Sequence, residues 1–223
     1  IAIKSGVELS KFRVAAENVT IVNCTMVHGH GGVVIGSEMS GGGRNVVITN
    51  CIFEGTDRGI RIKSRRGRGG IVEDLRISNI VMKGVITPFV MNMYYHCGDG
   101  GKEKFVWDKN PYPVDEKTPI FRRIYINNIT VREATTAAGF IYGLPEMPIE
   151  EVHFDNVTIQ LKEEAAPDYP AMMCNLKPMK QKGFICCNTK NLSFRNVKIL
   201  GNEGPSFDCK ESEGLEFEAC TSL

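Results

Sequence analysis

The sequence lacks both a strong charge bias and a long hydrophobic run. Lys and Arg together number 27 and Asp and Glu number 26, which leaves a net charge of +1. Such a chain has no overall field to attract nucleic acid, so a basic preference would have to come from a local cluster. No apolar run approaches the roughly 20 residues that a membrane span needs. We therefore expect neither nucleic acid nor a membrane as a partner.

Cysteine motifs and an amino-terminal leader are also missing. The chain has eight cysteines but no CxxC, and only Cys186 and Cys187 are adjacent. This pattern argues against a zinc site and against a small disulfide scaffold, and no metal or organic cofactor is implied. The chain opens on Ile1, without an initiator Met or a signal peptide. We expect a fragment or processed product; localisation is open, with secreted or periplasmic favoured over cytoplasmic.

The sequence does have an internal repeat, which should be sought before any local structure. Segments such as NVTIVNCTMV, NVVITNCIFEG and RIYINNITVRE alternate apolar and polar residues, as half-buried strands do. Each then places an Asn before an aliphatic-sized residue. Successive asparagines are 27, 29, 49, 28 and 40 residues apart, so two intervals contain insertions; they are Asn23, Asn50, Asn79, Asn128, Asn156 and Asn196.

A strand repeat of this length with Gly-rich turns predicts an all-β fold, a right-handed parallel β-helix whose windings stack on one another. We expect residues 1–223 to form a single such domain from which amino-terminal coils are missing. The asparagines should form a ladder along the axis, because stacked amides bond to one another. Cys24, Cys51 and Cys220 follow the ladder position, where other windings have Ile or Val, so we expect core thiols rather than disulfides.

A second family of strands alternates with the first. Aligned by their apolar positions, its first members give two outward columns, one of Lys4, Gly36, Lys63 and Asn92 and one of Ala2, Val34, Arg61 and Val90. A glycine between two lysines leaves room for a sugar carboxylate close to the backbone. His30 lies in the turn before the Gly36 strand. We therefore expect it at the edge of the same patch.

These residues resemble the family 28 glycoside hydrolases, the polygalacturonase group. The resemblance covers the whole chain as coil repeats and is specific in its first hundred residues. It implies a pectin-lyase-like solenoid that hydrolyses galacturonate-containing pectin polysaccharide or oligosaccharide, without a cofactor. The matching runs are Ile1-Ala2-Ile3-Lys4-Ser5-Gly6, Gly29-His30-Gly31 with Val34-Ile35-Gly36-Ser37, and Arg61-Ile62-Lys63 with a Tyr in the next strand.

The resemblance also implies a role for each matching residue. His30 would be the catalytic histidine, which assists the acid by hydrogen bonding or proton relay. Arg61 and Lys63 would bind a galacturonate carboxylate, Arg by a two-pronged contact and Lys as a point charge. The further substrate-binding residues that it implies are Tyr95, Tyr94 in the neighbouring register, Lys4 and Gly31.

The catalytic carboxylates of the family do not occur in this sequence. In that family an Asn-Thr-Asp motif and an Asp-Asp pair supply the carboxylates for an inverting single displacement. Neither motif is present in this sequence. We therefore expect this chain alone to be inactive, as the carboxy-terminal part of an active protein whose missing amino-terminal segment is its partner. Among nearby carboxylates, we expect Asp57 to pair with Arg58 and Glu38 with Lys63 rather than to replace the acid.

Two insertions interrupt the repeat. Residues 97–121 directly follow Tyr95 and contain the only tryptophan, Trp107. Their aromatic side chains could stack on sugar faces and close one end of a groove, which favours attack at chain ends, or could pack against the coil. Residues 167–182 form a second, less informative insertion. We expect the basic stretch at residues 65–68 to be a solvated loop beside the groove.

Two other functions remain open on the sequence alone. A pectate-lyase-like β-helix would cleave by elimination and would need a calcium site of clustered carboxylates, which the groove columns do not contain. A non-catalytic β-helix that binds acidic carbohydrate is the second alternative, and a chain without the acids is nearer to it. New ultraviolet absorbance in the products would identify the lyase, and new reducing ends without it the hydrolase.

Overall fold

The computed structural model describes residues 1–7 and 13–222, and these residues are strands and loops apart from one helical turn. No helix among them is long and apolar enough to cross a membrane. In chain order the elements are β1 (Ala2–Ile3), β2 (Ala16–Val22), β3 (Thr25–Val27), β4 (Val33–Gly36), β5 (Gly43–Glu54), β6 (Arg58–Lys63), β7 (Ile71–Lys83), β8 (Thr87–Asn92), α1 (Lys104–Trp107), β9 (Ile120–Ala134), β10 (Ala137–Tyr142), β11 (Ile149–Leu161), β12 (Lys182–Leu200), β13 (Phe207–Glu218) and β14 (Thr221–Ser222).

The named strands pair in parallel, each with the equivalent strand of the next winding. One path runs β1-β4-β6-β8-β10-β12 and the other runs β2-β5-β7-β9-β11-β12, so the long strand β12 belongs to both. Parallel strands that are not consecutive in the chain require a crossover, and here the rest of the winding supplies it. The parallel β-helix predicted from the repeat is confirmed.

The long strands bend where a residue adopts the left-handed conformation. In β9 the φ angles of Arg123 and Asn128 are 53° and 52°. At both points two consecutive side chains lie outside the core, so the in-and-out alternation restarts after the bend. Asparagine tolerates this conformation better than most residues because its short side chain can bond locally. Each bend therefore carries the chain from one face of the winding to the next.

The predicted asparagine ladder lies on one of these bends. Each side-chain amide donates to the amide oxygen one winding earlier: Asn79 to Asn50 (3.2 Å), Asn128 to Asn79 (3.4 Å), Asn156 to Asn128 (2.7 Å) and Asn196 to Asn156 (3.0 Å). A second ladder, which the repeat did not predict, lies on the preceding bend. It includes the bond from Asn45 to Asn18 (3.2 Å) and the ion pair of Arg123 with Asp74 (2.8 Å).

The core fills the inside of the coil. Aliphatic side chains occupy it in the first windings, and phenylalanines stack in the last ones, with the rings of Phe154 and Phe194 centred 5.1 Å apart. Cys51 is buried in this core, and Cys24 and Cys220 pack against its edge. All eight cysteines are free thiols, as the core-thiol prediction requires.

Candidate active site

Strands β1, β4, β6 and β8 stack in the register that the sequence predicts. Gly36 pairs with Lys63, and Lys63 pairs with Asn92 in the following winding. A Cβ on Gly36 would lie 2.1 Å from the carbonyl oxygen of Lys63, and its φ is +96°. The close approach of two strands therefore requires this glycine. It does not simply leave a recess between two cations.

His30 lies in the turn between β3 and β4 and its side chain is 92% exposed. Its Nδ1 is 2.8 Å from Oδ2 of Asp57, which occupies the equivalent turn of the next winding. The prediction that Asp57 pairs with Arg58 is wrong for the carboxylate, because Arg58 Nη1 donates to the backbone oxygen of Asp57 at 2.8 Å. A Cβ on Gly31 would lie 2.6 Å from Cγ2 of Val34, so packing explains this glycine.

Tyr95 connects the two predicted cations. Lys63 Nζ donates to Tyr95 Oη at 3.3 Å and lies 4.3 Å from the ring centroid. The guanidinium carbon of Arg61 is 5.7 Å from the same centroid, and Arg61 Nη1 donates to the backbone oxygen of His30 at 3.3 Å. The structure thus brings His30, Arg61, Lys63 and Tyr95 into one continuous cluster. We call these four residues the groove cluster.

Burial changes the ionisation of the groove cluster. It lowers the pKa of Lys63 to about 8, and the charges of Arg61 and Lys4 act in the same direction. Burial also lowers the pKa of Arg61 and raises the pKa of Tyr95 to about 12, so this phenol stays neutral. Two cations held together out of water favour an anionic ligand between them, because its charge offsets both their repulsion and their lost hydration.

Two other predicted residues lie elsewhere. Tyr94 is fully buried and packs edge-on against Tyr142, with ring centroids 5.6 Å apart. It is a core residue, so its prediction as a substrate-binding residue is wrong, and Tyr95 is the tyrosine that contacts Lys63. Lys4 Nζ lies 2.6 Å from Oε2 of Glu38, the carboxylate that was expected to pair with Lys63. The side chains of Lys4 and Glu38 are 50% and 39% exposed.

The arginines at positions 65, 66 and 68 are buried, so the predicted solvated loop is wrong. Arg66 binds both carboxylate oxygens of Glu146, at 2.5 and 2.9 Å, and donates to the backbone oxygens of Phe105 and Asp108 at 2.8 and 2.7 Å. Its guanidinium also lies 4.6 Å from the ring centroid of Tyr112. Arg66 therefore anchors the 97–121 insertion to the coil, and the ring of Tyr112 packs against its guanidinium.

The second insertion also reaches the site, although no sequence motif indicates this contact. Arg58 Nη2 donates to the backbone oxygen of Tyr169 at 2.6 Å. Asn92 Nδ2 donates to the backbone oxygen of Met172 at 3.1 Å. A cavity of about 690 Å³, lined mainly by residues 96–103 and Met172, lies between the two insertions next to Tyr95. Across residues 1–7 and 13–222, no three His, Cys, Asp or Glu side chains cluster in a way that could hold a metal ion.

Comparison with known proteins relates the chain to one enzyme family. The family model described as glycosyl hydrolases family 28 matches residues 1–174. An endo-polygalacturonase of Pectobacterium carotovorum subsp. carotovorum is 37% identical over 95 residues, which are 43% of this chain and 23% of that protein. A probable polygalacturonase of Vitis vinifera is 28% identical over 168 residues, 74% of this chain and 32% of that protein.

A solved structure has the same fold. A hyperthermoactive exopolygalacturonase from Thermotoga maritima matches with a TM-score of 0.62 at 24% identity, covering 86% of this chain and 37% of that one. The chain therefore spans between 23% and 37% of the length of these three relatives.

Proposed function

Because the chain belongs to glycosyl hydrolase family 28, we propose that the complete protein hydrolyses polygalacturonate or galacturonate-containing oligosaccharides. The observation that carries the proposal is the groove cluster, in which Arg61 and Lys63 both lie against Tyr95 and Arg61 bonds to the backbone of His30, whose imidazole is exposed. Each of these groups has a partner on a uronic acid: the cations attract the carboxylate, and the phenol can donate to a ring or hydroxyl oxygen.

The different burial of Arg61 and Lys63 supports different roles for them in binding a sugar carboxylate. Arg61 is only 4% exposed, below the ring of Tyr95, whereas Lys63 is half-buried and closer to solvent. We infer that Lys63 makes the outer contact with a sugar carboxylate and that Arg61 adds a second positive charge from beneath. A two-pronged contact from Arg61 would require Tyr95 to move aside.

The proposed reaction proceeds with inversion, with a carboxylic acid protonating the glycosidic oxygen while carboxylates activate water. These 223 residues contain neither carboxylate motif of the family. We propose that the catalytic carboxylates come from outside this sequence. This chain then contributes the imidazole of His30 and the residues that bind the sugar carboxylate. The chain alone is then expected to bind acidic sugar without cleaving it.

We also propose action at chain ends. The first insertion directly follows Tyr95 in the sequence, and the second lies against it, with a β-bridge between Tyr95 and Met173. A groove walled on this side accepts the end of a polymer more readily than its middle. The cavity between the insertions could receive the terminal sugars.

The test is to incubate the complete protein with polygalacturonate and, separately, with neutral galactan. We expect new reducing ends from polygalacturonate alone, no new ultraviolet absorbance, and monogalacturonate as the earliest product. Lys63→Ala should remove most of this activity, while Lys190→Ala, which changes an exposed lysine on β12, should not. An unsaturated product, or equal action on galactan, would contradict the proposal.

A further inference from the structure

The contact between His30 and Asp57 joins equivalent turns of two successive windings. Nδ1 of His30 and Oδ2 of Asp57 are 2.8 Å apart, and the remainder of the imidazole is open to solvent. An exposed ion pair between long side chains is weak, because ordering both chains costs entropy. Histidine and aspartate have short side chains, so the position of their backbones decides whether the contact persists.

The backbones of the two turns are tied together. The amide of Asp57 donates to the oxygen of Gly29 at 2.8 Å, and the amide of Gly32 donates to the oxygen of Arg58 at 2.9 Å. These two bonds lie on either side of the imidazole–carboxylate contact. Arg61 adds a third tie from the next strand through its bond to the oxygen of His30. The two side chains therefore start from fixed positions facing each other.

The peptide of Asp57 is held from the other side as well. Its carbonyl oxygen accepts from Arg58 Nη1 at 2.8 Å and from the amides of Ile86 and Thr87 at 3.2 and 3.3 Å. Arg58 is itself buried, and its other arm binds the second insertion. Three donors therefore fix the backbone of Asp57, and its carboxylate points at His30.

We propose that Asp57 is the positioning residue for His30. Its Oδ2 accepts a hydrogen bond from Nδ1–H, which selects that tautomer of the neutral ring and leaves Nε2 unprotonated and open to solvent. Nε2 can then accept a proton or hydrogen bond when the ring is neutral and donate one when it is charged. The inference rests on the proposed function only for the identity of the group that Nε2 of His30 contacts during the reaction.

The test reads the tautomer directly, by nitrogen-15 NMR of the imidazoles in this chain at a pH where they are neutral. The signals of His30 are those that disappear in His30→Gln. In the wild type we expect Nδ1 to bear the proton and Nε2 to be bare. Asp57→Ala should shift most of the population to the Nε2–H form, whereas Asp155→Ala, on another face, should leave it unchanged. A wild type with Nε2–H, or no shift in Asp57→Ala, would overturn the proposal.

Two further measurements separate this inference from the proposed function. Asp57→Asn keeps the side-chain volume and should fold even if Asp57→Ala does not. Because the side-chain amide of Asp57→Asn can either accept from Nδ1–H or donate to Nδ1, we expect a mixture of the two His30 tautomers in this variant. A His30 tautomer identical to that of the wild type would overturn the role of Asp57. Trigalacturonate binding, measured by calorimetry with Lys63→Ala as the comparison, tests the site without reference to the tautomer. If Asp57→Ala shifts the tautomer of His30 but the wild type does not bind trigalacturonate, the proposed function is overturned and the positioning role of Asp57 is retained.

Discussion

At the scale of single residues, contacts rather than residue type decide which of two neighbouring tyrosines lies at the site. Tyr94 and Tyr95 are neighbours in the sequence, yet one is in the core and the other contacts Lys63. Adjacent side chains of a strand point to opposite faces, but β8 ends at Asn92, so the strand pattern alone did not say which of the two tyrosines faces the site. The sequence therefore predicted a tyrosine at this place without deciding which one.

Lys63 should make binding depend on pH. Its pKa is lowered to about 8, chiefly by burial, so the ammonium loses its proton as the pH rises through that value. We expect the affinity for trigalacturonate to fall between pH 7 and pH 9, by up to about tenfold, because roughly a tenth of a group with this pKa is charged one unit above it. Calorimetry at the two pH values measures the change.

Lys63→Arg is the matched control for this pH dependence, because a guanidinium stays charged throughout the range. It should bind with nearly the same affinity at pH 7 and pH 9. A wild type whose affinity is flat over this range would show that Lys63 does not contribute its charge to the ligand.

At the scale of elements, bends and anchors can be predicted only where the same residue type recurs at the spacing of the windings. The asparagine ladder was visible because one residue type recurs at coil spacing. The preceding bend has the same backbone conformation in residues of several types, so nothing recurs in the sequence; its residues with positive φ are Asn18, Asn45, Asp74, Arg123, Glu151, Asn191 and Gly214.

The ladder should stabilise the coil through conformation as well as through hydrogen bonds. Asn156 has a φ of 55° and bonds to the asparagines of both neighbouring windings. Asn156→Ala places a residue with a Cβ in the left-handed region and removes both bonds, so we expect it to lower the free energy of unfolding by about 1–3 kcal/mol in urea titrations. Asn156→Gly removes the bonds without that strain and should cost less. Equal losses would show that strain at the bend is negligible.

The buried ion pair of Arg66 and Glu146 should control the 97–121 insertion. Its side chains are each 5% exposed, and removing one partner of such a pair costs about 3–5 kcal/mol because the other charge stays buried. In Arg66→Ala we expect faster hydrogen exchange across the insertion, with the strands of the coil still protected. Arg195→Ala, which breaks an exposed pair with Asp155, should change little. Unchanged exchange in Arg66→Ala would contradict the anchor.

At the scale of the whole molecule, the repeat determines the coil, and the coil brings distant residues together. Because stacked windings keep their register, Arg61 and Lys63 could be placed beside the turn of His30 from the sequence alone. Contacts outside the repeat could not be predicted: Arg66 and Glu146 are 80 residues apart, and no period relates them. The pairing of Asp57 with His30 was missed for a different reason, since a neighbouring arginine offered a simpler partner.

The proposed function requires the groove cluster to be a single site for acidic sugar. The most direct measurement is a titration of the labelled chain with trigalacturonate, followed by the NMR signals of its backbone amides, with neutral galactotriose as the comparison. Trigalacturonate should shift the signals of residues 30, 61, 63 and 95 together, with one affinity, and galactotriose should leave them in place. Shifts confined to another face, or equal shifts with both sugars, would contradict the proposed function.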